Sequence, residues 1–197
     1  MTSRLFLLCL LSFISILPVQ ASNIPPLYLD QLIDGSAIAF QGDCIDNRTE
    51  RDAHTGLIVT YTTFQVQDVL KGQVGSTHTI KQMGGRLPGP AGSIEVYVVK
   101  GVPKFEVGES YVVFLYGISA AGFSSPVGLD QGTFKVLTGS AGLQVTNGRD
   151  FKEMTADIPL QQAGKAEKKL HQAPGPAGHM GLDDFKQLVR QQVGGAR

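Results

Sequence analysis

Between Gly56 and Gly72 the chain alternates with a period of two. Ile58, Thr60, Thr62, Phe64 and Val66 fall on one face, and Val59, Tyr61, Thr63, Gln65 and Gln67 on the other. Alternation of β-branched and aromatic residues predicts a long strand. At Asp68 the phase breaks, because a carboxylate stands where the first face calls for an apolar residue and Val69 with Leu70 take over. A β-bulge or sharp bend near Asp68 accounts for the break. Lys71 and Gly72 end the run, and a second alternating stretch with Thr77, Ile80 and Gln82 follows the polar Gln73–Ser76 loop. Two long strands joined at a bend suit a small barrel that must turn corners.

The same reading extends along the chain. A short amphipathic turn carries Leu29, Leu32 and Ile33 and stops at Gly35. Ser36–Gly42 reads as the first strand, and Asp43–Gly56, dense in charge, as a solvated hairpin loop. Gly84–Gly92, rich in glycine and proline, reads as a mobile hairpin connection. Ile94–Val99 reads as a strand, with Val102–Phe105 as its continuation and a turn at Val107–Glu109. Tyr111–Tyr116 is an unbroken apolar run, short enough for a strand buried on both faces. A glycine- and serine-rich loop, Gly117–Ser125, exposes Phe123. Pro126–Leu129 and Gly132–Leu137 are further strands, Gly142–Thr146 an edge, and Asn147-Gly148 a turn. Leu182, Phe185, Leu188, Val189 and Val193 then recur at helical spacing, with Asp183 and Asp184 in the first turn where the helix dipole favours them. So short a helix is marginal alone and must dock, either on its own barrel, the favoured reading, or on a partner.

The expected architecture is all-β, with five to seven strands in a small, partly open β-barrel over residues 22–150. A flexible linker over 151–180, poor in large apolar residues, and a C-terminal amphipathic helix over 181–197 complete it.

Composition changes this picture at the N-terminus. Arg4, the apolar run Leu5–Leu17 and Pro18-Val19-Gln20-Ala21 read as a signal peptide over residues 1–21, so a secreted or periplasmic protein is expected, with no membrane span once the signal is cleaved. The remaining chain of roughly 175 residues suits one domain with a tail. The 17 Lys and Arg balance the 17 Asp and Glu, and removing Arg4 leaves a single excess negative charge. Without a basic patch nothing favours nucleic acid. Cys44 is then the one cysteine outside the signal, which excludes a disulfide within one chain; burial is the favoured reading, beside pairing between chains or reactivity.

Candidate chemistry is sparse. Asp43, Asp46 and Asp52 lack the alternate-position ligands, central glycine and terminal glutamate of a calcium loop. His54, His78, His171 and His179 lack zinc spacings, and there is no Gly-x-Ser-x-Gly elbow. No metal and no cofactor are expected. Asn47-Arg48-Thr49 matches a glycosylation acceptor.

Three segments carry a resemblance: Thr62–Gly72 with its Phe-x-Val-x-x-Val-Leu-Lys-Gly ending, Phe105-x-Val-Gly-Glu-x-Tyr-Val-Val-Phe-Leu, and Gln131-Gly-Thr-Phe-Lys-Val. Together with Met83-Gly84-Gly85 they resemble a group of secreted bacterial proteins of unassigned function. More distantly the stretch Ile58–Val136 is similar to the oligonucleotide/oligosaccharide-binding (OB) barrel of tissue inhibitors of metalloproteases and netrin-like modules. The resemblance implies an OB-like barrel. It does not carry over zinc-chelating inhibition, because Ser22 and not a cysteine opens the expected mature chain.

A non-catalytic binding module is therefore expected, one that engages another secreted or envelope protein, a protease among the candidates, through loops at a barrel end. Gly84, Gly85, Arg86 and Phe123 are the candidate binding residues, being in glycine-rich loops and including groups that anchor interfaces. The alternatives are an envelope-associated hydrolase assembled from dispersed residues such as Asp52, His54, His78 and Glu109, and a structural envelope component held by the terminal helix.

Overall fold

A computed structural model describes residues 25–140, 142–156 and 178–195. The expected signal peptide and positions 157–177 of the expected linker lie outside these residues.

Strands β1 (Ile38–Arg51), β2 (Ile58–Lys71), β3 (Thr77–Met83), β6 (Ser110–Leu115), β7 (Thr133–Gly139), β8 (Gly142–Thr146) and β9 (Met180–Gly181) form one seven-stranded antiparallel sheet in the order β3-β2-β1-β6-β7-β8-β9. Strands β4 (Gly85–Pro88) and β5 (Ile94–Tyr97) form a separate two-stranded sheet. Among the described residues three α-helices accompany them, α1 (Leu29–Gly35), α2 (Phe151–Met154) and α3 (Leu182–Gly195). None of the described helices is long and apolar enough to cross a membrane.

The chain is thus an all-β, partly open barrel with a C-terminal helix. The sheet curls until β3 approaches the far side of β6, where the segment Ser124–Val127 fills the gap. Tyr116 N–H donates to the Ser125 carbonyl (3.0 Å) and Val127 N–H to that of Phe114 (2.8 Å), while Ser124 N–H donates to the Lys81 carbonyl (3.1 Å). One main-chain bond to β3 does not make a ladder, so the barrel stays open along that seam.

Burial follows from this curl. Alternate residues of β6 serve two cores: Tyr111, Val113 and Leu115 join Phe40, Cys44, Phe64, Ile80 and Phe105 inside the barrel, while Val112 and Phe114 face the helices. That is why Tyr111–Leu115 is apolar throughout, as expected for a strand buried on both faces. Tyr116, at the end of the run, is exposed. Inside the barrel Phe64 meets Phe105 edge-on, with centroids 5.0 Å apart, and Phe105 meets Tyr111 at the same separation. On the outer side Phe185 of α3 packs against Phe134 (4.8 Å), Phe151 (5.8 Å) and Phe114 (6.2 Å). The terminal helix therefore docks on its own barrel through the stripe Leu182, Phe185, Leu188 and Val189.

Asp68 explains its own break in the alternation. The register steps from Gln41↔Asp68 to Gly42↔Val66 and from Phe40↔Val69 to Ala39↔Lys71, so Gln67 and Leu70 are left unpaired as bulges on either side of it. The twist turns the Asp68 carboxylate toward α3, where it meets Arg190 (2.5 Å) and Lys186 (3.3 Å). Lys186 also donates to Gln41 Oε1 (3.3 Å).

Several expectations need correction. Asp43–Arg51 is not a loop: it extends β1 and pairs with β2 as far as Arg51↔Ile58, because its polar residues occupy a solvated strand face, leaving a short turn at 52–57. Gly84–Gly92 is mostly a hairpin arm, since Gly85–Pro88 pairs with Ile94–Tyr97. Val102–Phe105 has no ladder partner, and Pro126–Leu129 makes only an isolated bridge from Pro126 to Leu115 before a short 3-10 turn. Gly142–Thr146 is not an edge, as Met180 and Gly181 pair with Val145 and Gln144. At the two ends of the stretch expected as linker, Phe151 and Met154 are buried in α2 and Met180 begins β9.

Candidate functional site

The barrel end that carries the β1–β2 turn, the end of β3, the Gly117–Ser125 loop and the β4–β5 hairpin gathers most of the residues singled out from sequence. Period-two alternation places Ile80 and Gln82 of β3 on the face toward Thr62 and Thr60, and Lys81 on the opposite face beside Tyr61. The β1–β2 turn then brings Asp52 to Lys81. Asp52 accepts from Thr55 N–H (2.9 Å) and Thr55 Oγ1 (2.8 Å) through Oδ1, and its Oδ2 meets Lys81 Nζ at 2.6 Å. Only 8% of the Lys81 side chain and 4% of that of Asp52 remain exposed. Lys81 Nζ also donates to the Ala121 carbonyl (3.0 Å) and lies 4.6 Å from the centre of the Phe123 ring.

The hydrogen bond from Lys81, then those from Thr55, hold the Asp52 carboxyl far below the usual carboxylate range despite burial. Asp52 in turn pushes the Lys81 ammonium upward, against its burial. An amine held protonated is no nucleophile, and a carboxylate held ionised is a poor proton acceptor near neutral pH. What this pair can do is join three segments: turn, β3 edge and covering loop.

Phe123 is consequently half-buried as the lid of Lys81, not exposed. Gly84 is buried, and its N–H donates to the Ile58 carbonyl (2.9 Å). Gly85 has φ +146, and a Cβ there would sit 2.4 Å from Thr49 Cγ2 and 2.7 Å from Thr60 Oγ1, so only glycine lets the hairpin lie this close. Those threonines hydrogen-bond each other (3.0 Å), and Thr60 Oγ1 donates to the Gly84 carbonyl (2.8 Å). Of the four candidates, Arg86 alone is exposed.

The dispersed hydrolase set is not brought together. His54 is exposed in the β1–β2 turn, whereas His78 pairs with Phe64, six residues along β2 from Ile58, or about 20 Å at strand rise. Its ring packs edge-on to Phe40 (5.5 Å), Nε2 is buried without a partner, and burial pushes its pKa down. Glu109 lies beyond β1 and is paired with Lys135 (3.4 Å). Burial raises the pKa of Cys44, whose thiol faces the Asp46 carbonyl at 3.9 Å. The Asn47 amide of the glycosylation motif is engaged, donating to the Phe105 carbonyl (2.7 Å) and accepting from Thr62 (2.6 Å). Among the described residues no three His, Cys, Asp or Glu side chains form a metal-holding group. A cleft of about 380 Å³ beside Tyr111, Thr133 and Lys104 has Lys135 at its wall, already taken by Glu106 and Glu109.

The β4–β5 hairpin supplies what the sequence reading missed. Its inner face, Gly85 and Leu87 with Glu95 and Tyr97, turns toward the barrel, and Glu95 pairs with Arg51 of β1. The outer face presents Ile94, Val96 and, just beyond the strand, Val98, exposed by 64%, 50% and 72%, beside Arg86 and Pro88. A signal for this arm was present: a Pro-Gly-Pro-Ala-Gly turn between Arg86-Leu87 and the alternating Ile94–Val98 is a hairpin pattern with a longer loop.

Protein-family models, curated proteins and solved structures were all compared with this chain, and none matches it.

Proposed function

We propose that this chain is a secreted or periplasmic, non-catalytic binding module that engages another protein through the β4–β5 hairpin at one barrel end. The observation that carries the reading is the row Ile94, Val96 and Val98, three large aliphatic side chains held in the open on a small sheet. Single exposed apolar residues are ordinary, but a row presented at strand spacing is a surface with a use. Arg86 beside it adds a group enriched at interface anchors. Secretion rests on the signal-peptide pattern of residues 1–21, and the OB-like character on the resemblance of Ile58–Val136. The partner class extends to proteases by that same resemblance. A hydrolase is the second reading, disfavoured by the separation of Asp52, His78 and Glu109 and by the use of Asp52 as an ion-pair partner.

The test is affinity capture with the signal-free protein from the medium and envelope of cells that express it, run beside the Val96→Asp/Val98→Asp variant. A partner retained by the parent and lost by the equally folded variant supports the reading. Equal retention by both, or turnover of a substrate with no partner retained, overturns it.

A further inference from the structure

We infer that the outer face of the β4–β5 hairpin is a seat for an amphipathic helix of a partner protein, one whose aliphatic stripe is bordered by a carboxylate. This inference rests on the binding-module reading and specifies what the hairpin binds.

Register builds the face. Arg86 stands opposite Val96 and Pro88 opposite Ile94, so period two puts all four side chains on one side of the hairpin, and Val98 continues the row. All five residues are exposed. The other side is anchored, because Gly85 lies close against Thr49 and Thr60 and Glu95 pairs with Arg51. The face is therefore held in place before anything binds it, which lowers the cost of docking.

Spacing selects the shape of the occupant. The side chains at 94, 96 and 98 recur every two strand residues, a step of about 6.6 Å. Helix residues four apart lie on nearly the same face and recur at about 6.0 Å. Aliphatic residues at i, i+4 and i+8 of a helix therefore meet Ile94, Val96 and Val98 one for one, the kind of periodic anchoring that grooves use for helices. Two strands about 4.8 Å apart, with their side chains, present a face about 10 Å wide, which is the diameter of a helix.

Charge selects its chemistry. Arg86 shares this face, and Lys100 follows two residues after Val98; both are exposed, and among the described residues neither has an ion-pair partner. Glu95, the one acidic residue from Gly84 to Phe105, is turned to the opposite side onto Arg51. A helix lying over Ile94–Val98 carries a residue beside its stripe directly above Arg86, where a carboxylate answers the guanidinium. A strand added at the β5 edge would instead lie two strand spacings, about 10 Å, from Arg86, so the charge favours an occupant of the face over one of the edge. A second copy of the hairpin offers the same cations and no free acid. An anionic membrane offers the charge, but Tyr97, the one ring of the hairpin, is on the inner side, which leaves this face without the aromatic anchor of a lipid interface.

The experiment is an NMR titration of the isotope-labelled, signal-free full chain with a peptide of about 15 residues, cross-linked on its far side because so short a helix is marginal alone. The first probe has leucine at i, i+4 and i+8 and one glutamate beside the middle leucine. Its counterparts carry glutamine for the glutamate, or the same residues in an order that breaks the stripe. Phosphatidylglycerol vesicles serve as the lipid arm. Saturable shifts confined to the Arg86–Val98 amides are expected with the first probe, and binding about tenfold weaker or more with the broken stripe. Glutamine for glutamate should weaken binding about two- to fivefold, as for one solvent-edged ion pair, and Arg86→Gln, at an exposed position, should abolish that difference. Absence of saturable shifts, shifts elsewhere on the chain, equal binding of the broken stripe or of the glutamine peptide, or preference for the vesicles overturns the helix-docking proposal. If capture of a protein partner still depends on Val96 and Val98, the binding-module reading survives that failure; if it does not, both fall.

Discussion

The two sides of this barrel use their apolar residues in opposite ways. On the helix side, Phe185, Leu188 and Val189 of α3 are buried against Phe114, Phe134 and Phe151, and the carboxylate of Asp68 pins the helix through Arg190 and Lys186. At the hairpin end, Ile94, Val96 and Val98 stay exposed, while glycine at 85 and the Arg51–Glu95 pair hold the arm down on its inner face. Apolar residues on the first side hold the fold together. On the second they are held up by polar contacts and left facing outward.

The largest expected effect breaks the first side. Phe185→Ala removes a fully buried ring packed against three aromatic neighbours, Phe114, Phe134 and Phe151, and should cost about 3 to 5 kcal/mol in urea unfolding. Val96→Ala, at an equally apolar position, should change stability by no more than about 0.5 kcal/mol. Similar losses for both would erase the contrast.

Next comes the clamp behind the hairpin end. Lys81→Met leaves Asp52 buried without its cation and should destabilise clearly, and adding Asp52→Asn should restore part of the loss. A double variant no better than the single one would show that the pair is not coupled. Because Asp52 is depressed in the folded state, its contribution is complete above the unfolded carboxylate pKa of about 3.9 and fades as pH falls below it. Acid titration of stability should therefore be steeper below pH about 4 in the parent than in the double variant.

His78 offers a smaller effect with the same sign. Burial favours its neutral form in the fold, so the unfolded chain binds the proton first, and stability declines as pH falls below about 6.5, the unfolded histidine value. His78→Gln should flatten the decline of stability below about pH 6.5. An unchanged slope would assign it to other groups.

Smallest is Asp68→Asn. Its partners are partly solvated, so a loss of about 1 kcal/mol or less is expected, shrinking further in molar salt. A larger loss, insensitive to salt, would mean that the bulges and not the charges hold the helix in place.

What the sequence by itself determined is whatever depends on neighbours in the chain. Period two in β2, the solid apolar run of β6 and the stripe of α3 each reflect one element's burial, and each was legible at nearly its observed bounds. Asp68 was legible as a break, though its reason, a helix more than a hundred residues away, was not. Only the tertiary structure decided that Asp43–Arg51 is a strand, because a solvated strand face and a polar loop have the same composition. It alone joined Asp52 to Lys81 and laid Phe123 over them, turning three unrelated residues into one clamp. The glycines at 84 and 85 looked like a binding loop and are close-packing points, whereas Ile94, Val96 and Val98 read simply as part of a strand, with no sign of which face would be exposed. Alternation marks two faces of a strand, but which face meets the protein and which meets solvent is set by what the fold brings alongside, and among the described residues β5 pairs with β4 alone.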